Sequence, residues 1–213
     1  MEQAAEAGIV MGTAEDFPAI YQDLQKQFPS CEVYRYETFL RLLNNGKYRI
    51  ALYRRNADGA LLGYALLCSV EQSNIVWMDY LAVLKEYHAR GLGQALFRAL
   101  YRKYCGPFDG LMFSVEHVSA GNEALAKTQK RRIAFYEKLG ARRLHAAYLQ
   151  PTPEDSFPMY LYFKPRRGVN FISRETQALA ISDMYQYCFS HLKHWRGLLP
   201  RFRSSIVDER FTG

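Results

Sequence analysis

The chain reads as an α+β domain: a central, mostly antiparallel twisted sheet flanked by helices. Three observations predict this class. Between Tyr48 and Val83, three apolar runs rich in aromatic and β-branched residues are separated only by short turn sequences, the pattern of an antiparallel meander. The third run passes through a charged loop into Gly91-Leu-Gly93 and a segment with Leu92, Leu96, Ala99 and Leu100 on one helical face. Beyond it, strand-like and helix-like patterns alternate once more before a helical tail.

In order, residues 8–11 form a first short strand. Residues 15–27 form a helix with acids and Pro18 in its first turn. Phe28-Pro-Ser-Cys31 breaks it, and a second helix over 36–43 is closed by Asn44-Asn-Gly46. The meander strands are 48–55, 60–70 and 75–83, with turns at Asn56-Ala-Asp-Gly59 and Glu71-Gln-Ser-Asn74. The glycine-opened helix stops at Gly106-Pro107, and 111–118 is a further buried strand. Residues 119–127 read as a loop, partly helical from Asn122; a helix over 128–139 ends at Gly140. Two last strands, 141–149 and 159–163, flank a Pro-rich loop at 151–158, and Ser173 caps a final helix running to about Trp195.

With 213 residues, 49% hydrophobic and 23% charged, the chain has the composition of an ordinary globular domain with an appendage. No apolar run approaches the roughly 20 residues of a membrane span, so no membrane partner is expected. The acidic N-terminus lacks a signal-peptide start. Four scattered cysteines without a Cys-x-x-Cys pair argue against zinc and a disulfide framework and for a reducing, cytoplasmic setting. The histidines lack ligand spacing except at His191 and His194, and no metal is expected. Of the +7 net charge, residues 164–213 supply +5, with 9 basic against 4 acidic side chains. The expected division is therefore a domain over 1–165 and a basic helical extension over 166–213.

Strand, loop and glycine-opened helix is an arrangement that holds phosphate on free backbone N–H groups and the positive helix end. The dinucleotide fingerprint is excluded, because Leu96 stands where a third Gly or Ala is needed and seven residues separate Val83 from Gly91. A P-loop is excluded by the absence of Gly-Lys-Ser/Thr. What remains, His88-Ala-Arg-Gly91-Leu-Gly93, resembles the Arg/Gln-x-x-Gly-x-Gly/Ala signature of the GNAT N-acetyltransferases, with His88 in place of Arg or Gln. A second segment, Ile133-Ala-Phe-Tyr-Glu-Lys-Leu-Gly-Ala141, resembles the family's Tyr-x-x-x-Gly-Phe, with Ala141 for Phe. Gln129 and Arg132 also depart from the Asn and Ala common there. The resemblance covers roughly residues 7–164 and implies the GNAT fold with a splayed central strand.

It also implies acetyl-CoA as co-substrate. The cradle would be Ala89, Arg90, Gly91, Leu92, Gly93, Gln94 and Ala95, with His88 and Arg90 adding positive charge. Leu81 N–H would face the thioester oxygen and Val83 would bond the pantetheine arm. Tyr136 matches the tyrosine that protonates the departing thiolate. For the base, Asp79 shares a strand face with Leu81, and Glu116 on the next strand is the alternative; either could instead be salt-bridged to Arg131, Arg132 or Lys130. Cys68 and Cys105 read as buried structural thiols rather than nucleophiles. Tyr21, Phe28, Tyr34 and Tyr36 lie where the family builds its acceptor pocket, though packing explains aromatics equally well.

The expected function is direct transfer of acetyl to a primary amine, either a small molecule or a peptide. No nucleic acid is expected as a partner, and a homodimer is compatible with the sequence. Two rivals belong to other classes: a CoA-binding domain without catalysis, and a nucleic-acid or membrane contact through the basic tail with Trp195 and Phe202.

Overall fold

The structure is a computed structural model that describes residues 7–211. Its strands form an eight-stranded, mostly antiparallel sheet, as expected, in the order β1-β2-β3-β4-β5-β8-β6 with β7 on β8. The described residues pack as two compact units: residues 7–69 with 78–107, and residues 70–77 with 108–211. Strand β4 (Ile75–Val83) contributes to both.

The first unit begins with β1 (Ala7–Met11), α1 (Phe17–Gln27) and α2 (Tyr36–Asn44). Helix α1 starts two residues later than its acids suggest, because the Asp16 carboxylate accepts the Thr13 N–H at 2.8 Å and closes a turn ahead of it. Phe17, Ile20 and Leu24, three and four residues apart, form its buried face. Strands β2 (Tyr48–Arg55) and β3 (Leu61–Val70) pair in the expected hairpin from Tyr48↔Cys68 to Arg54↔Leu61, with an irregularity at Tyr53 and Arg54. At Gly63, β3 and β4 approach so closely that a Cβ would lie 2.5 Å from the Ala82 carbonyl oxygen, so only glycine fits. Helix α3 (Leu92–Tyr104) buries Leu92, Leu96, Phe97, Leu100 and Tyr104. That is the apolar stripe read from the sequence, extended by two aromatics.

In the second unit, β4 runs parallel to β5 (Gly110–Glu116) for three pairs only, Ile75↔Gly110 to Trp77↔Met112. Helix α4 spans Glu123–Lys138, joining the partly helical stretch expected from Asn122 to the helix expected over 128–139. Asn122 starts it, as the partly helical reading from that residue anticipates: its side-chain oxygen accepts the Leu125 N–H at 3.0 Å and caps the helix. The expected strand over 141–149 breaks into β6 (Arg142–Arg143) and β7 (Tyr148–Pro151). Half of the Pro-rich stretch is strand rather than loop, because β8 runs Ser156–Pro165 and pairs back on β7 from Tyr148↔Met159 to Pro151↔Ser156. Only residues 152–155 turn, fixed by Thr152 N–H to the Asp155 carbonyl at 2.8 Å. Pro151 and Pro158 sit on the short β7–β8 ladder, where a missing donor costs least, and Pro153 lies in the turn.

The tail also departs from a single helix. Helix α5 (Arg174–Cys188) begins at its Ser173 cap, whose hydroxyl accepts the Thr176 N–H at 3.0 Å, but it ends at Phe189. A second helix, α6 (Trp195–Ser205), follows, and β9 (Phe171–Ile172) pairs with β10 (Glu209–Arg210). These pieces join the core of the second unit. Ile181, Met184, Tyr185 and Phe202 are buried, and the Tyr148 ring packs on Tyr185 and Phe202. The polar ends of the same segment serve the backbone of the β6–β7 connection: Glu209 accepts the His145 N–H at 2.7 Å and Ser205 Oγ accepts the Ala147 N–H at 2.9 Å.

Candidate active site

The loop between β4 and α3 has the conformation of an anion cradle. Ala89 and Gly91 both take left-handed backbone angles, φ 62° and 73°. For Ala89 this costs on the order of 1 kcal/mol, strain of the kind that concentrates at ligand-binding loops. Alternation of right- and left-handed residues turns successive N–H groups toward one concavity. Gly91 caps α3 with no side chain to accept its first-turn N–H groups, so those donors and the positive helix end stay open to an anion. His88, Ala89, Arg90 and Gly91 are exposed; Leu92 is buried; Gly93, Gln94 and Ala95 are half-buried. The Arg90 guanidinium lies over the Tyr87 ring at 5.6 Å. His88 turns its Nε2 back to the Val83 carbonyl at 2.8 Å, so its ring ties the loop to the end of β4.

Along β4, Asp79, Leu81 and Val83 are half-buried while Met78, Tyr80 and Ala82 are buried, so the three candidate residues share one face as the alternation requires. Leu84 donates its N–H to the Leu62 carbonyl of β3 at 3.0 Å. Because backbone groups alternate along an antiparallel strand, Asp79, Leu81 and Val83 direct theirs to the edge away from β3. The Val83 carbonyl on that edge accepts both His88 Nε2 and, at 3.1 Å, Gln27 Nε2 from α1. Gln27 in turn donates to Asp23 Oδ2 at 2.6 Å, which also accepts the Tyr64 hydroxyl at 2.8 Å. This clamp on Val83 has no sequence signal, since its donor lies 56 residues upstream.

Asp79 is half-buried as a residue, but its Oδ2 has less than 1 Å² of accessible surface. Burial pushes the Asp79 carboxyl up to about 8, against a smaller opposite pull from the Tyr34 hydroxyl. That hydroxyl donates to Asp79 Oδ1 at 3.4 Å. Tyr34 therefore does more than pack, which its position among many tyrosines does not reveal. Tyr21, Phe28 and Tyr36 are half-buried: Tyr21 and Tyr36 pack around Phe17 and Phe39, and Phe28 sits edge-on to Tyr80 at 5.2 Å.

In the second unit, Tyr136 is buried on α4 with its ring 4.4 Å from Phe113 of β5. Burial pushes its phenol up to about 12; Arg132 pulls it down and Glu116 adds a smaller upward push. The phenol thus keeps its proton across the working pH range. Glu116, at the end of β5, is held by Arg132 in a salt bridge, one of the pairings anticipated for the two acids. Arg132 is the charged partner that sets the surroundings of both Glu116 and Tyr136. Cys68 and Cys105 are buried and Cys31 is exposed, all as free thiols. His194 Nε2 contacts the Asp155 carbonyl at 2.8 Å, and among the described residues no three His, Cys, Asp or Glu side chains form a metal-binding group. No helix is long and apolar enough to cross a membrane among these residues.

A strand with an acid on its open face thus leads through a left-handed loop into a glycine-opened helix, and comparison with known proteins identifies the family that shares this plan. The acetyltransferase (GNAT) family model matches residues 17–141, more than half of the chain. The chain belongs to the GNAT acetyltransferase family. No curated protein matches it. Among solved structures, a GNAT-family acetyltransferase from Bacteroides thetaiotaomicron is 18% identical, with a TM-score of 0.61 over 92% of this chain and 96% of that one. The ribosomal-protein-S18-alanine N-acetyltransferase of Escherichia coli is 24% identical, with a TM-score of 0.52 over 75% and 93%. Arabidopsis thaliana NAA60 in complex with acetyl-CoA is 20% identical, with a TM-score of 0.54 over 76% and 99%. At these identities the likeness establishes the shared fold.

Proposed function

We propose that the protein transfers the acetyl group of acetyl-CoA directly to a primary amine. The observation that carries this reading is the β4–α3 loop, with Ala89 and Gly91 left-handed and the α3 N-terminus uncapped by any side chain. Residues 88–95 fit a diphosphate in chemistry and conformation: backbone donors, a helix dipole and the Arg90 charge, with no acidic side chain among them. Acetyl-CoA supplies the thioester whose C–S bond is broken. Leu81 directs its N–H to the open edge of β4 and stabilises charge developing on the acetyl oxygen, an interaction worth about 3 kcal/mol in comparable sites. Val83 directs its own N–H to the same edge for the pantetheine arm.

Asp79 is the base: as the new C–N bond forms, its carboxylate accepts the proton that the amine gives up. Its raised pKa suits that task near neutral pH, whereas Glu116 is committed to Arg132. Tyr136 donates its phenolic proton to the departing thiolate, and its raised pKa keeps that proton available. The burial of Trp195 and Phe202 within the second unit weighs against a nucleic-acid or membrane contact through those rings. A cytoplasmic location fits free thiols at all four cysteines. Release of CoA thiol, measured against small amines, polyamines, amino acids and peptides, tests the reading. At least one amine class is expected to accelerate release well above the rate without amine. Acetyl-CoA binding with no acceleration by any class would reduce the protein to a CoA-binding module.

A further inference from the structure

The second unit contains a groove of about 460 Å³ whose lining includes His117, Arg143, His145, Leu149, Met159 and Tyr160. No carboxylate lines it. Its polar wall is organised by one aromatic ring: the His117 imidazole stacks on Tyr160 at 4.1 Å, and the Arg143 guanidinium lies over the same ring at 4.7 Å. Packing against Tyr160 fixes both cation-capable groups in place and costs them little capacity to donate hydrogen bonds from their edges. Among the described residues Arg143 forms no salt bridge. Glu209 of β10, which reaches the groove residue His145, is spent on it: its Oε1 accepts the His145 N–H at 2.7 Å and its Oε2 meets the ring Nδ1 at 3.0 Å.

The sheet register sets where this wall stands. Phe113 opposes Tyr162 and Val115 opposes Tyr160 on β5 and β8, and opposed residues in an antiparallel ladder share a face. Tyr136 packs on Phe113 and Glu137 accepts the Tyr162 hydroxyl, so His117 and Tyr160 lie on the sheet face covered by α4 and its Tyr136. Arg143, His145, Tyr160 and Glu209 all lie beyond residue 141, where the family match ends.

We propose that the groove recognises a carboxylate carried by the acceptor, bound by the Arg143 fork and His117, with the apolar side chain of Leu149, on the same sheet face as Tyr160, seating the adjoining part. This rests on the acetyltransferase reading and narrows it: the acceptor is a peptide with acidic side chains close to its amine, not a polyamine, whose charges Arg143 repels. The test compares two short amidated peptides, alike except that two glutamates or two lysines follow the N-terminal alanine. Calorimetry measures their binding to the wild-type protein and to Arg143→Glu, Arg143→Ala and His117→Ala, and acetyl-CoA-induced thermal shifts are recorded in parallel. The expected result is binding of the glutamate peptide at least about tenfold tighter, loss of that margin in Arg143→Ala and His117→Ala, and its reversal in Arg143→Glu. The acetyl-CoA shift should be unchanged in all three variants. Equal binding of both peptides by the wild type, or a glutamate preference that survives Arg143→Glu, overturns the proposal. An absent acetyl-CoA shift in the wild type would instead sink the acetyltransferase reading, leaving the peptide comparison interpretable.

Discussion

Single residues decide between acids that the sequence leaves equivalent. Asp79 and Glu116 are both carboxylates in apolar strands, and no periodicity says which one has a cation beside it. Arg132 reaches Glu116 across 16 residues of chain, while Asp79 meets a tyrosine hydroxyl 45 residues upstream. The sequence offers Arg132 as a candidate partner without saying for which acid, and Tyr34 as a partner of Asp79 has no signal in it, because packing decides both. Burial raises the Asp79 pKa above its unfolded value to about 8, so stability is lost as pH rises from the unfolded pKa through the folded one. Asp79→Asn removes that penalty. Its melting temperature should therefore exceed that of the wild type by more at pH 9 than at pH 5, as thermal scans at both values will read. The same substitution should lower kcat/KM and abolish the rise in rate with pH toward about 8; a retained limb would assign it to another group. Tyr136→Phe keeps the ring on Phe113 but removes the donor. A fall in kcat on the order of 10²–10⁴-fold with unchanged acetyl-CoA affinity is expected.

Elements were legible where pattern and punctuation agreed. The meander, the stripe of α3 and the hairpin at residues 56–59 follow from alternation, helical spacing and turn residues, and all appear in the structure. The misreadings fall where one strong local signal masked a longer-range pairing. Prolines at 151, 153 and 158 suggest a loop, yet the β7–β8 ladder holds Pro151 and Pro158 and only Pro153 lies in the turn, while the partial helix read from Asn122 runs unbroken into α4. Asn122→Ala should cost about 1 kcal/mol, read from urea unfolding, with the loss confined to the second unit. The loop before α3 makes the sharper functional prediction. Gly91 adopts φ 73° with no neighbour near its missing Cβ, so Gly91→Glu brings strain and a charge repelling phosphate rather than a clash. The variant should fold yet lose the thermal shift given by acetyl-CoA; an undiminished shift would remove the pyrophosphate from this loop.

The molecule as a whole is more tightly bound to its tail than charge alone suggested. Composition marks residues 164–213 as a basic extension, but Met184, Tyr185, Phe189 and Phe202 are buried there. Burial of each such side chain is worth roughly 1.5–3 kcal/mol, so the set matches the whole stability of a typical domain, about 5–15 kcal/mol. The Tyr185 hydroxyl also donates to the Leu149 carbonyl, which links α5 to β7. Deleting residues 170–213 should therefore unfold or aggregate the second unit and abolish activity with it, as circular dichroism and sedimentation would show. A truncated protein with unchanged melting would contradict this packing. The central claim, direct acetyl transfer, is tested most directly with acetyl-CoA labelled in its acetyl group, followed by mass analysis of both amine and protein. The label should appear on the nitrogen of the amine and should not accumulate on the protein when amine is withheld. Label retained on a cysteine, or none transferred to any amine while acetyl-CoA demonstrably binds, would contradict it.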